Sequence, residues 1–226
     1  MADAIAAAVR DAVERRGRCS LVLSGGSTPK GAYERLAVRY GDRLPWPQVH
    51  LFWGDERFVP PSDLRSNARM AREALVDRVP IPPANVHPIP TDGAPADAAA
   101  LRYEDTLRAH FAGPHPSFDL VLLGLGEDAH TASIFPGSAA LDEPARWVMA
   151  VAAPVDPPLR ITLTLPALIP AVRLFVLVSG AAKAPALRRA LDSASPPRIY
   201  PAAALRAAGG RVTWWTDRAA AGDSAA

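Results

Sequence analysis

The sequence contains a single cysteine, Cys19, among 226 residues. One cysteine excludes an intrachain disulfide and a zinc site built on cysteine ligands, and its place at the edge of an apolar run favours a buried thiol. The chain also lacks an apolar run near the roughly 20 residues needed to span a bilayer. Its first residues lack the charged start and apolar core of a signal peptide. We therefore expect a soluble, cytoplasmic protein that does not bind membranes.

Lysine is almost as scarce, because only Lys30 and Lys183 are lysines among 25 basic residues. A chain that otherwise uses arginine can retain a lysine where a compact ammonium group is needed. The net charge is only +2, with acidic and basic residues interspersed. This pattern does not indicate a surface for nucleic acid. The composition and length favour one globular domain over 1–226, with an alanine-rich, frayed tail at 218–226.

The fold class follows from four short segments that are apolar throughout, which is typical of parallel strands covered on both faces. These segments are 20–23, 49–53, 118–125 and 174–178. Helical stretches alternate with them at 2–16, 29–40, 67–77, 96–111 and 182–191, and weaker strand candidates lie at 86–89, 147–151, 161–165 and 212–215. The alternation predicts an α/β, Rossmann-like fold: a doubly wound, mostly parallel sheet with helices on both faces.

Each of the four apolar segments is followed by glycine and polar residues, at 24–30, 54–57, 126–130 and 179–183. In an open parallel sheet, ligands bind beyond the carboxyl ends of the strands, where the strand order reverses. The sequence therefore predicts one shared binding site at this edge of the sheet.

The first of these segments, Gly25-Gly26-Ser27-Thr28, leads from a strand into a helix. Free backbone N–H groups and the positive end of the helix dipole suit an anion there, and glycine allows its close approach. The segment is a candidate phosphate loop. The alternative is an ordinary turn with Ser27 or Thr28 as the helix N-cap.

The third segment contains His130 two residues after Asp128. A histidine can take a proton from water near neutral pH, and a nearby carboxylate can orient its ring. The alternatives are a capping histidine or a metal site, but no third ligand is evident and we expect no metal. The other histidines have no comparable setting and are expected to be structural or exposed: His50, His87, His110 and His115.

Residues 124–129 also match the dinucleotide-binding pattern G-x-G-x-x-A. Glu127 and Asp128 would place carboxylates against a pyrophosphate, and Pro136 interrupts the helix that should follow. We therefore favour a catalytic loop. Arg57 and Lys183 are the cations expected at the same edge, where a guanidinium or ammonium suits a phosphate, although both could be solvated surface charges.

Taken together, these segments resemble the 6-phosphogluconolactonase family of the pentose phosphate pathway. The matching stretches are 23–30, 53–60 with Ser66 and Asn67, 124–137, 160–166 and 178–183, in the family's order, and the resemblance covers roughly residues 3–217. It implies hydrolysis of 6-phospho-D-glucono-1,5-lactone without a metal or organic cofactor. It also implies the fold shared with glucosamine-6-phosphate deaminases.

On this resemblance, catalytic roles are expected for His130, Asp128 and Arg57. Substrate-binding roles are expected for Gly25, Gly26, Ser27, Thr28, Asp55, Asn67 and Lys183. The partner is then a phosphorylated sugar lactone, and the sequence indicates no oligomeric state. One departure is Ala129, where the family usually has glycine; we expect a backbone conformation that alanine adopts without strain.

Two other functions stay open at this point. A hexosamine-6-phosphate deaminase/isomerase resembles this chain at the Asp-x-His turn but has a glutamate five residues after the histidine, where this chain has Phe135. A sugar-phosphate sensor would bind without turnover and would ordinarily carry a DNA-binding module, for which the sequence has little room before its first helix.

Overall fold

A computed structural model describes residues 1–222 of the protein. Its α-helices are α1 (Ala2–Arg16), α2 (Ser27–Tyr40), α3 (Asn67–Ala74), α4 (Ala96–His110), α5 (Leu165–Leu168), α6 (Ala184–Leu191) and α7 (Arg218–Ala221). Its strands are β1 (Cys19–Leu23), β2 (Val49–Trp53), β3 (Asp55–Arg57), β4 (Val86–His87), β5 (Leu120–Gly124), β6 (Val148–Ala152), β7 (Leu159–Leu163), β8 (Leu174–Val178) and β9 (Val212–Thr216). Short 3₁₀ segments connect several of them.

The main sheet has six parallel strands in the order β4-β2-β1-β5-β8-β9. The four inner strands are those with continuous apolar sequence, as expected where both faces are covered. The outer strands, β4 and β9, come from the weaker candidates. The chain moves outward from β1 to β2 and β4, then returns to place β5 on the other side of β1. The order thus reverses between β1 and β5, and the prediction of a doubly wound parallel sheet is confirmed.

A second sheet was not predicted. Its three antiparallel strands have the order β3-β7-β6. No strand was expected at Asp55–Arg57, which the sequence shows only as polar residues after β2, but these residues form β3. The strand was missed because three polar residues have no apolar periodicity, and their strand conformation depends on pairing with the distant β7. The weaker candidates at 147–151 and 161–165 correspond to β6 and β7 of this small sheet.

Helix α4 connects the two sheets. The hydroxyl of Tyr103 accepts a hydrogen bond from the Trp53 amide at 2.8 Å and donates to the Trp53 carbonyl at 3.1 Å. The adjacent Glu104 carboxylate accepts from the amides of Trp147 and Val148 at 2.9 and 3.1 Å. The end of β2 and the start of β6 are therefore held to one helix, which fixes the position of the small sheet beside the main one.

The carboxyl-terminal region differs from its prediction. Arg218–Ala221 forms helix α7, whose first turn is capped by Asp217, which accepts from the Ala220 amide at 2.7 Å. Ala220 is buried. The prediction of a frayed tail is wrong for this part, because a cap and a buried contact stabilise it; residues 223–226 lie outside the described residues. Within residues 1–222, no helix is both long and apolar enough to cross a membrane.

Candidate active site

A pocket of about 250 Å³ lies beyond the carboxyl ends of β1 and β5, beside the small sheet. All four of the polar segments that follow the predicted strands contribute to it. Its lining includes Ser24, Gly25, Gly26, Asp55, Arg57, Asn67, Gly126, His130, Ser133, Phe135, Arg160 and Lys183. Of the residues predicted for the site, Ser27, Thr28 and Asp128 do not form its wall. Asp128 nevertheless contacts His130 directly.

Position 25 requires glycine because the Asn67 side chain lies against its backbone, and not because its φ is unusual. A β-carbon at this position would lie 2.0 Å from Oδ1 of Asn67, the first residue of α3. The side-chain nitrogen of Asn67, Nδ2, donates to the backbone carbonyl and to Oδ1 of Asp55, at 3.0 and 3.2 Å. Ser133 donates to the other oxygen of Asp55 at 2.6 Å. Both Asp55 and Asn67 are buried, so these bonds make a fixed wall of the pocket.

The neighbouring Glu56 fixes the start of α3. Its buried carboxylate accepts from the amides of Asn67 and Ala68 at 2.7 Å each and from the Ser66 hydroxyl at 3.0 Å. Burial raises the pKa of Glu56, while the amide hydrogen bonds oppose that rise. Because Glu56 lies between Asp55 and Arg57 on β3, it ties the strand that carries both pocket residues to the helix that carries Asn67.

Helix α2 begins at the pocket with Gly26 as its N-cap, at a φ of 105°. Ser27 and Thr28 are the first two helical residues, and neither side chain caps the helix. An N-terminal turn leaves its first N–H groups without intrahelical acceptors, so they remain available to an anion. The preceding strand end is held by Tyr33, whose hydroxyl accepts from the Ser24 amide at 2.8 Å and donates to the Ser24 carbonyl at 2.9 Å.

Asp128 and His130 form a close pair. Nδ1 of His130 lies 2.6 Å from Oδ1 of Asp128, which also accepts from the His130 amide at 3.1 Å. Burial opposes ionisation of Asp128, but the two hydrogen bonds from His130 outweigh it and lower the pKa of the carboxyl. Asp128 is therefore an anion that takes Nδ1 as its partner, and Nε2 of His130 is left for the pocket.

The turn that carries this pair is tightly closed. The Gly126 amide donates to the His130 carbonyl at 2.8 Å, and the Ala129 amide donates to the Gly126 carbonyl at 3.1 Å. Ala129 has a φ of 62° and is fully buried. The expectation of an unstrained backbone at Ala129 is wrong, because the turn places this residue in the left-handed region, where a β-carbon meets the following carbonyl group.

Arg57 and Arg160 stand opposite each other across the small sheet, as direct partners on β3 and β7. Arg57 donates to the Arg65 carbonyl at 2.7 Å, and Arg160 donates to the Pro157 carbonyl at 2.8 Å. Within residues 1–222 neither forms a salt bridge with a carboxylate, and the buried Nε of Arg57 has no hydrogen-bond partner there. Burial and the charge of Arg57 lower the pKa of Arg160, while the charges of Asp55, Glu56 and Asp156 oppose that fall.

Like charges directly opposite each other destabilise a strand pair, and the carboxylates of Asp55, Glu56 and Asp156 attract Arg160 without forming a salt bridge to it. An anionic ligand between the two guanidinium groups would offset the repulsion between them. Arg160 and Ser133 were not predicted as site residues. Arg160 lies in a stretch matched to the family, but its position across from Arg57 depends on strand register, which the sequence does not display.

Phe135 and Lys183 also line the pocket. The Phe135 ring is 4.5 Å from the His130 ring, measured between centroids, and is almost completely buried. An aromatic side chain therefore stands where a deaminase-like relay would need a carboxylate. The Lys183 ammonium lies 3.8 Å from Glu127, which is mostly exposed. That distance makes a weak ion pair, so Lys183 keeps its charge available to the pocket.

Residues 1–214 match the glucosamine-6-phosphate isomerases/6-phosphogluconolactonase family. The chain belongs to this family. It is 43% identical over 218 residues to a 6-phosphogluconolactonase of Mycobacterium leprae, covering 93% of this chain and 87% of the relative. A 6-phosphogluconolactonase structure from Trypanosoma brucei is 32% identical, with a TM-score of 0.86 over 99% of this chain and 93% of the other. A monomeric glucosamine-6-phosphate deaminase shares the fold, at 19% identity and a TM-score of 0.81 over 96% and 94%.

Proposed function

We propose that this protein hydrolyses 6-phospho-D-glucono-1,5-lactone to 6-phospho-D-gluconate, the lactonase step of the oxidative pentose phosphate pathway. The observation that carries the proposal is the Asp128–His130 pair at the edge of a cationic pocket. Asp128 holds one ring nitrogen at 2.6 Å, which leaves the other to act on a water molecule. The names of the relatives agree with this chemistry.

In the proposed reaction, Nε2 of His130 takes a proton from water as the oxygen attacks C1 of the lactone. A tetrahedral intermediate forms with a negative oxygen on C1, which a pocket cation or backbone N–H stabilises. The bond between C1 and the ring oxygen then breaks, and protonated His130 returns the proton to that oxygen. Asp128 orients the ring throughout and stabilises its positive charge.

The distal phosphate would bind the cations. Arg57 and Arg160 line one part of the pocket, and within the described chain neither guanidinium is in a salt bridge. Lys183 adds a third positive charge to the lining. The first turn of α2, at Ser27 and Thr28, supplies N–H groups and the positive end of the helix dipole. Binding energy from this remote group would hold C1 beside His130, which favours catalysis through orientation.

Asp55 and Asn67 have a different role in the proposal. Their polar atoms are already engaged with each other and with Ser133. They therefore maintain the shape of the wall and offer remaining lone pairs to sugar hydroxyls. The pocket combines this wall, the cations and the turn at 126–130, called here the catalytic turn, and these parts come from both sheets. We therefore also propose that the chain works as a single domain.

Phe135 is the observation that separates this function from deamination. Ring opening and isomerisation of a hexosamine phosphate need a further acid–base group to move protons. The Phe135 ring packs against His130 and supplies none. A sensor would bind the sugar phosphate without converting it. A measurement of lactone hydrolysis therefore distinguishes a sensor from an enzyme.

The test is a rate measurement on freshly prepared 6-phosphogluconolactone, coupled to detection of 6-phosphogluconate and corrected for spontaneous opening. His130→Ala should lower the corrected kcat by about 100-fold or more. His115→Ala, which changes an exposed histidine, is the matched control and should retain wild-type activity. Wild-type protein that binds the product without accelerating opening would identify a sensor, and release of ammonia from glucosamine 6-phosphate would identify a deaminase.

A further inference from the structure

Three histidines that the proposed reaction does not use lie together on one face of the main sheet. His50 is the second residue of β2, His87 is the last residue of β4, and His110 is the last residue of α4. His50 is paired with Ser20 near the amino end of β1, whereas the active-site pocket lies beyond the carboxyl ends. The histidine cluster, defined as His50, His87 and His110, is therefore separate from the catalytic turn.

The spacing of the cluster suits metal coordination. One ring nitrogen from each histidine lies within 4.8 Å of the other two. Nδ1 of His50 and Nε2 of His87 are 3.2 Å apart. Two nitrogen ligands at about 2.1 Å from a tetrahedral zinc ion are separated by about 3.4 Å, so this pair needs little movement. The His110 ring is 4.6 Å from the His50 ring and 5.7 Å from the His87 ring, between centroids.

The three imidazoles are partly buried. Burial lowers the pKa of all three histidines, and that of His110 falls to about 4. The neighbouring Arg18 also lowers the pKa of His50 and His110. Arg18 disfavours a cation in the cluster, but its side chain is exposed and screened by solvent, so its effect is small beside three direct metal–nitrogen bonds.

The nearby groups complete an ordinary ligand environment. The Ser20 hydroxyl lies 3.1 Å from Nε2 of His110, where it can orient that ring or contribute an oxygen. Phe52 stacks on His87 at 4.6 Å between centroids, and Phe111 packs against His110 at 4.7 Å. The cluster thus combines three nitrogen ligands with an apolar shell. Imidazole ligands select zinc and its neighbours in the first transition row over Mg²⁺ or Ca²⁺, which prefer oxygen.

We propose that His50, His87 and His110 bind one divalent transition-metal ion, with Zn²⁺ as the natural occupant and water in the fourth position. The ion would join the end of α4 to β2 and β4. It would then add to stability without taking part in the pocket chemistry, so this inference stands whether or not the protein is a lactonase.

The experiment uses the full chain after treatment with a chelator, titrated with Co²⁺ and Zn²⁺. The wild type should bind one equivalent of Co²⁺ with the visible absorption of a tetrahedral site, and Zn²⁺ should displace it. His87→Asn and His110→Gln should each weaken binding by about 100-fold or more. Circular dichroism and melting of each metal-free variant establish that it is folded, and His50→Asn replaces any variant that is not.

Two control variants locate the ion. His115→Gln changes a histidine outside the cluster, and His130→Ala removes the Asp128–His130 pair from competition for the metal. Both should bind Co²⁺ with wild-type affinity and an unchanged spectrum. Loss of binding in His130→Ala alone, unchanged binding in the cluster variants, or no binding by wild type at micromolar metal would each overturn the proposal. In the last case the three rings form only a hydrogen-bonded cluster.

Discussion

A β-carbon placed on Gly126 would lie 2.0 Å from Nδ1 of His130, the ring atom that contacts Asp128. Gly126 does not have a left-handed φ, so the need for glycine comes from this contact and not from backbone conformation. The imidazole is therefore packed directly on the backbone of its own turn. This arrangement fixes the ring from one side, while the Asp128 carboxylate fixes it by hydrogen bonding.

Gly126→Ala should consequently disable the proposed base without unfolding the protein. The added methyl group must displace the His130 ring and break its bond to Asp128, so we expect the corrected kcat to fall by about 100-fold. Initial rates measured across a range of lactone concentrations would give kcat and KM separately.

Gly31→Ala is the matched control, because Gly31 lies in α2 with open space around its would-be β-carbon. It should keep wild-type activity and gain about 0.5 to 1 kcal/mol of stability. A Gly126→Ala variant with normal kcat would show that the position of the His130 ring does not limit the reaction.

The facing guanidinium groups predict a response to inorganic phosphate. Phosphate should raise the Tm of the wild type, since a ligand that binds only the folded state stabilises it by about 2.7 kcal/mol at 100 times its Kd. Arg57→Met and Arg160→Met should each reduce this shift and raise the KM for the lactone by about 10-fold or more. Differential scanning fluorimetry and steady-state kinetics measure the two effects.

Without phosphate, Arg160→Met should stay within about 1 kcal/mol of the wild-type stability, because it removes the repulsion from Arg57 but also the attraction to nearby carboxylates and the hydrogen bond to Pro157. Arg35→Met, an exposed substitution in α2, is the control for a general loss of positive charge. If all three variants keep the wild-type phosphate shift, the anion binds elsewhere and the assignment of this pair fails.

Ala129→Gly should change stability by no more than about 1 kcal/mol. Removing the left-handed strain at this residue gains about 1 kcal/mol. The loss of a fully buried methyl group costs about 0.8 kcal/mol, and the greater freedom of glycine in the unfolded chain costs a further fraction. Ala129→Val should instead lose more than about 2 kcal/mol, because a branched side chain is both strained and overpacked there. Urea unfolding of the wild type and the two variants would measure these changes. A gain in the free energy of unfolding well above about 1 kcal/mol for Ala129→Gly would contradict this balance.

The low pKa of His110 predicts a pH-dependent stability of the metal-free protein. Between its ordinary value near 6.5 and about 4, the unfolded chain binds a proton that the folded chain does not. This contribution to stability is therefore present above pH 6.5 and is lost as the pH falls toward 4. Because the ring is partly exposed, we expect about 1 kcal/mol, less than the full shift would give.

Unfolding by urea at pH 7 and pH 4.5, with a chelator present, would measure this effect. His110→Gln should reduce the difference between the two pH values, and His115→Gln should leave it unchanged. An equal pH dependence in wild type and His110→Gln would assign the proton uptake to other groups.

The parts of the structure that could be predicted are those whose pattern is local. The inner strands β1, β2, β5 and β8 are continuous apolar segments, and the polar groups that follow them must meet at one edge of a parallel sheet. Even the turn proposed to be catalytic was visible as glycine, Asp128 and His130 after such a segment. These predictions needed only strand direction and residue type.

The features that were missed depend on contacts between distant residues. The three polar residues of β3 become a strand only through pairing with β7, and the same pairing brings Arg160 to Arg57. The histidine cluster joins two strands and a helix end whose proximity no spacing reveals. The conformation of Ala129 was also misjudged, because the φ of one residue in a tight turn is set by the closure of the whole turn.

The construction of the pocket from two sheets has a consequence for how this protein can diverge. The main sheet carries the turn that performs the proposed chemistry, and the small sheet carries the arginine pair that would recognise the charged end of the substrate. Because the arginine pair and the turn at 126–130 lie on different sheets, recognition can change by substitution on β3 and β7 while that turn stays intact. Exchange of these short strands between relatives is therefore a direct route to altering which lactones are accepted.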